Sequence, residues 1–234
     1  MAYKKRKVSG FTKARSPKKL IDLVSLRYCN KNNIFLIFLL EYKIIIMRLL
    51  PQFLKLSVLK TTMQRPDYHA EGNVWVHTQM VMDKAANIIQ QLPDEKDKWI
   101  IMLAALSHDL GKPSTSQIGP EGFPHQHGHE KVGIEITKQF LSKLTNEKDI
   151  IDNVLFLVEH HLKPPQYHRN DVPDKAFVKL INTYGVKRLE LLSYLSEADI
   201  TGRKHRNPNG ELIDPDAKPV IWYSPGITWS GSAR

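Results

Sequence analysis

The 234-residue chain has a single cysteine, Cys29, so no internal disulfide can brace it and its stability must come from a packed core. One cysteine also fits a reducing compartment, and a cytoplasmic location is expected. The chain lacks an apolar run of about 20 residues, the length that a membrane-spanning helix needs. Its nearest approach, IFLIFLLEYKIII from Ile34 to Ile46, is shorter and is broken by Glu41 and Lys43. No small-residue cleavage site follows that stretch, which argues against a secretory leader. Stable membrane insertion is therefore not expected. No segment alternates apolar and polar residues convincingly, which argues against a sheet-based domain, and no repeat period is present. Net charge, too, is missing from most of the chain. Residues 1–48 hold 12 Lys and Arg against Asp22 and Glu41, whereas the other 186 residues hold 22 of each sign. The overall charge of +10 thus belongs to the N-terminal fifth. It allows weak nucleic-acid contact by a basic tail and gives the body no such character.

What is present is helical periodicity. Residues 1–48 form a basic and apolar extension, expected to be poorly ordered; their bias to Lys, Asn, Ile and Phe makes Met47 an alternative start. Residues 49–204 read as one all-α domain, with helices near 49–60, 73–91, 95–110, 127–144, 147–163, 173–183 and 186–201. Breakers separate them: Pro66, Pro93, the Gly- and Pro-containing 111–124, Pro164-Pro165, Pro173 and Gly185. Residues 205–234 read as an irregular tail.

The informative feature is where polar residues fall on these helices. His77 lies in line with Val74, Val81, Ala85 and Ile88, and His108-Asp109 follows Leu103 and Leu106. His129 shares a face with Val132, Ile136 and Phe140; His161 completes Ile150, Val154 and Leu157; Asp199 completes Leu189, Leu192 and Leu195. Spacings of three or four residues point each polar group the way its apolar neighbours point. One inward histidine is ordinarily a satisfied core residue, but five helices each aiming an imidazole or carboxylate inward need a shared partner. Buried carboxylates such as Asp109 and Asp199 are costly without compensation. A divalent cation compensates all of them at one centre, and helical bundles build metal sites in this way.

The ordered set His77, His108-Asp109 and Asp199 resembles the H…HD…D signature of the HD-domain metal-dependent phosphohydrolase superfamily. Over residues 50–204, WVHTQMVMDKA, LAALSHDLGK, HQHGHEKVG, VEHHLKP and SEADITGR together resemble the HD domain attached to bacterial CCA-adding tRNA nucleotidyltransferases and its stand-alone relatives. The resemblance implies an HD-domain helical bundle. It also implies one or two divalent ions (Mn, Fe, Co, Ni, Zn or Mg) held by His77, His108, Asp109 and Asp199. His129 and His161 match the family's additional histidines, as ligands of a second metal or as phosphate contacts. The neighbouring His160 is read as exposed, and His125 and His127 as solvated or supporting loop residues.

The implied activity is hydrolysis of a nucleotide or RNA-end phosphomonoester or phosphodiester, including the 2′,3′-cyclic type. Asp109 would bind metal and orient the water. Lys112 would act catalytically or grip phosphate, unless it is merely an exposed lysine, and Arg203 and His69 would contact substrate. His69 and Glu71, in DYHAEGNVWVH, match a stretch typical of close relatives and are expected to support the ligands or contact substrate, with a helix-start cap as the alternative for Glu71. Gly111 is read as the stop of its helix, and Trp75 and Trp99 as core. The first 76 residues show no paired catalytic aspartates and leave no room for a polymerase-type domain, so CCA addition is not expected. The alternative to an enzyme is a non-catalytic nucleotide- or RNA-binding module. Oligomeric state has no signature in the sequence.

Overall fold

The computed structural model describes residues 56–170, 173–206 and 211–213. The basic extension with its apolar stretch and most of the C-terminal tail lie outside these residues. The described chain is all-α apart from short two-stranded pairings. Its helices are α1 (Leu56–Thr61), α2 (Val74–Ile88, continued by a 3-10 turn Ile89–Gln91), α3 (Glu95–Ser107), α4 (Lys112–Thr115), α5 (His129–Leu141), α6 (Lys148–His160), α7 (Lys163–Arg169), α8 (Asp174–Tyr184) and α9 (Val186–Thr201). The antiparallel pairs are β1 (Gln117–Ile118) with β2 (Pro124–His125), and β3 (His205–Arg206) with β4 (Leu212–Ile213). Among the described residues no helix is long and apolar enough to cross a membrane.

Helix α3 is the axis of the bundle. Pro93 precedes it, and the Asp94 carboxylate caps it by accepting from the Lys96 amide at 2.7 Å. Glu95 and Asp97 place negative charge on the positive end of the helix dipole. Every residue from Ile100 to Ser107 is buried, so this part of the helix has no solvent face and must be covered on all sides. Helices α2, α6 and α9 pack around it, α2 and α9 also pack together, and α5 lies on α6. All five chemically marked segments therefore end on the same core.

Three local features depart from the sequence expectation. Pro164 and Pro165 do not break the chain. They sit in the first turn of α7, where proline loses no intrahelical donor, and a helix runs on to Arg169. The stretch 111–124, expected as loop, contains α4 and the β1–β2 hairpin, which turns at Gly122 with φ +79°. The expected tail begins with the β3–β4 pair. These elements are too short to leave a periodic signal.

Candidate metal centre

The sequence pattern puts Asp109 inside a helix reaching residue 110, but α3 ends at Ser107 and Asp109 occupies the turn after it. Gly111 is not a left-handed helix stop, because its φ is −79°. Its role is close approach: a Cβ there would lie 2.0 Å from the His129 carbonyl oxygen and 2.7 Å from the Gly133 amide nitrogen. Absence of a side chain lets the start of α5 press against the end of α3, which carries His129 to Asp109. Gly202 plays the same part at the end of α9. A Cβ on it would meet the Val81 backbone at 2.8 Å, so Asp199 reaches His77 on α2.

The result is one buried cluster. His77, His108 and Asp199 each present a ligand atom, all within 4.8 Å of one another, and so do Asp109, His129 and His161. Asp109 joins the two triads. Its Oδ2 lies 3.3 Å from His108 Nε2 and 3.7 Å from His77 Nε2, while Oδ1 lies 3.2 Å from His129 Nε2 and 3.9 Å from His161 Nε2. His77 Nε2 is 3.1 Å from Asp199 Oδ1.

The orientation of the rings is fixed from behind. His108, His129 and His161 donate Nδ1–H to the carbonyls of Ala105, Gln126 and Val158 at 2.8, 2.7 and 2.7 Å. A carbonyl only accepts, so each ring as neutral imidazole carries its proton on Nδ1 and turns the Nε2 lone pair inward. His129 Nε2 and His161 Nε2 then face each other at 3.2 Å. Two lone pairs at that distance repel unless a cation shares them. His108 Nε2 is buried without a hydrogen-bond partner. That orphaned atom, the facing lone pairs of His129 and His161, and a mixed imidazole and carboxylate donor set fit a divalent ion of the Mn to Zn series.

Electrostatics agree with that arrangement. Burial pushes the His161 ring down to about 3, which keeps it a neutral imidazole. Burial alone would raise the carboxyls of Asp109 and Asp199. The Lys112 ammonium beside Asp109 and the Arg203 guanidinium beside Asp199 help to hold them well below the usual carboxylate range instead. Lys112 Nζ lies 2.7 Å from Asp109 Oδ2, and Arg203 Nη2 lies 2.6 Å from Asp199 Oδ1.

The structure thus brings together every residue the sequence singled out for the metal, and sets Lys112 and Arg203 against it. Lys112 is not an exposed lysine; it is buried and also donates to Gln64 Oε1 at 2.5 Å. His69 lies behind His77, its Nδ1 2.9 Å from Glu71 Oε1. Glu71 is not a helix cap, since Asn73 caps α2 by accepting from the Val76 amide at 2.9 Å.

The reading of His160 is overturned as well. His160 is buried, not exposed, because its ring packs against Phe156 and against Tyr184 at the end of α8. It stays outside both triads, as do the half-buried His125 and the exposed His127. Trp75 is core, and Trp99 packs partly buried against it. Gln64 escaped the sequence reading, for a polar residue in a loop before the first ligand carries no periodic signal.

Residues 74–202 match the HD domain family, more than half of the chain. The Multifunctional CCA protein of Dechloromonas aromatica (strain RCB) is 34% identical over 161 residues, which cover 67% of this chain and 35% of that protein. The Multifunctional CCA protein of Pasteurella multocida (strain Pm70) is 27% identical over 175 residues, covering 73% of this chain and 39% of that protein. The chain therefore spans well under half the length of these curated relatives. A helical bundle that converges His77, His108-Asp109 and Asp199 on one buried centre, matched over residues 74–202, places the chain in the HD domain family.

Proposed function

We propose that the chain is a metal-dependent phosphohydrolase acting on a nucleotide or RNA-end phosphomonoester or phosphodiester. The observation that supports this best is Asp109, one carboxylate standing between two ligand triads, with one oxygen facing each. His77, His108 and Asp199 would hold one divalent ion, and His129 and His161 a second, with Asp109 between them. A bound divalent cation supplies activation of a water near neutral pH and neutralises charge on phosphoryl oxygens.

The remaining work falls to side chains of this chain. Lys112 and Arg203 now neutralise the two ligand carboxylates. With a metal held by those oxygens, the ammonium and guanidinium would be available to a phosphate, which suits the compact charge of one and the planar fork of the other. Gln64 keeps hold of Lys112 and limits its reach. His69, only 14% exposed at its side chain, contacts substrate from the side of His77. Balanced charge in residues 49–234 favours a small nucleotide or a chain end over long RNA.

The test is turnover of bis(p-nitrophenyl) phosphate, p-nitrophenyl phosphate and nucleoside 2′,3′-cyclic phosphates by metal-stripped protein given Mn, Co or Ni. Metal-dependent turnover that is lost in Asp109→Asn is expected. Metal uptake by the wild type with no turnover of any of these would point instead to a non-catalytic nucleotide-binding module.

A further inference from the structure

The four histidines of the centre are not anchored alike. His108, His129 and His161 each use the carbonyl three residues upstream. For His77 that carbonyl belongs to Val74, and the Thr78 hydroxyl already donates to it at 2.8 Å. His77 Nδ1, buried with no hydrogen-bond partner of good geometry, lies instead 2.9 Å from Oε1 of Glu71. We propose that Glu71 is a positioning residue of the centre. It accepts the Nδ1 proton of His77, fixes the ring, and thereby keeps Nε2 open as a ligand atom. This inference rests on the metal reading above.

The same carboxylate reaches further. Its Oε1 is also 2.9 Å from His69 Nδ1, and its Oε2 accepts from the Lys204 amide at 2.9 Å. The Ala70 amide in turn donates to the Lys204 carbonyl at 2.9 Å. Lys204 follows Arg203, whose guanidinium holds Asp199. One side chain thus ties the loop before α2 to the end of α9, the two segments that supply His77 and Asp199. His69, Glu71 and His77 have the proximity of a metal triad. Yet Glu71 meets three nitrogens at hydrogen-bond spacing, one of them a backbone amide, which makes it an acceptor for donors. A carboxylate with a side chain 1% exposed needs such donors to stay buried.

Among the four rings, His77 is the one whose anchor is a side chain and can be replaced. Glutamine keeps the shape of glutamate but accepts on one oxygen only. In Glu71→Gln the amide NH2 must face either the imidazole N–H groups or the Lys204 amide, donor against donor. The test uses the full chain, histidine-labelled with 15N and titrated with Zn²⁺. The wild type loaded with zinc should show His77 protonated on Nδ1 and bonded through Nε2. Glu71→Gln should keep its circular dichroism and bind zinc about 10- to 100-fold more weakly, the usual cost of losing a ligand's supporting hydrogen bond. Zinc affinity equal to the wild type's, or His77 ligating through Nδ1, would overturn the proposal. Should Glu71→Gln fail to fold, the wild-type spectrum decides alone. A wild type that shows this His77 signature but hydrolyses no phosphoester refutes the hydrolase reading and supports this one. A wild type that takes up no zinc refutes both.

Discussion

Asp109 and Asp199 differ from ordinary buried carboxylates in having both a cation beside them and imidazole nitrogens in front of them. Lys112 and Arg203 keep each acid ionised, so no proton has to be displaced before a metal oxygen bond forms. Gly111 sets the distance between Asp109 and His129. Gly111→Ala should therefore destabilise the fold by about 1–3 kcal/mol, the usual cost of overpacking, and weaken metal binding as well. Urea denaturation and metal titration of the same variant check both effects. The adjacent histidines make a second contrast. His161→Ala removes a ligand nitrogen and should lower metal uptake, whereas His160→Phe should leave metal uptake intact. Because the buried Nδ1 of His160 has no hydrogen-bond partner, a phenyl ring between Phe156 and Tyr184 should change stability by less than about 1.5 kcal/mol. A loss of metal in His160→Phe would show that the wrong histidine faces the centre.

Helices explain which parts of this site could be read from the sequence. His77, His161 and Asp199 lie on or at the end of long helices whose apolar stripes point to the core, so spacing alone aims them. By contrast, α5 buries Gly133, Thr137 and Phe140 beside His129 and leaves Val132 of the expected stripe exposed. Periodicity of α6 separated His161, which reaches the Asp109 cluster, from His160, which does not. It could not show that Tyr184 of α8 covers the other face, because that contact joins residues far apart in the chain. Glu71 and Gln64 sit in the irregular segment before α2, where no period exists to aim a side chain. The proline pair of α7 reads as a break in the sequence, although α6 already ends at His160, because the residue type that breaks a helix interior also fits a first turn. Helix α3 offers a test that separates its two ends. Asp94→Ala removes the cap at the end distant from Asp109 and should cost about 1 kcal/mol without changing metal affinity. Thermal unfolding paired with calorimetric metal titration checks that separation.

At the scale of the whole molecule, the core and the centre share their supports. Helices α2, α3, α5, α6 and α9 each supply or adjoin a residue of the triads, so a metal ion would tie most of the bundle at one point. Binding to the folded state alone should then stabilise it, by about 2.7 kcal/mol when free metal stands at 100 times its Kd. Chelation should lower the melting temperature of the wild type and leave that of Asp109→Asn unmoved. The most direct test of the centre is elemental analysis of protein purified without chelators and reconstituted with Mn²⁺. An HD-type centre built on Asp109 predicts stoichiometric divalent metal in the wild type and its loss in a folded Asp109→Asn. Wild type without bound metal, or Asp109→Asn retaining the full amount, would contradict it.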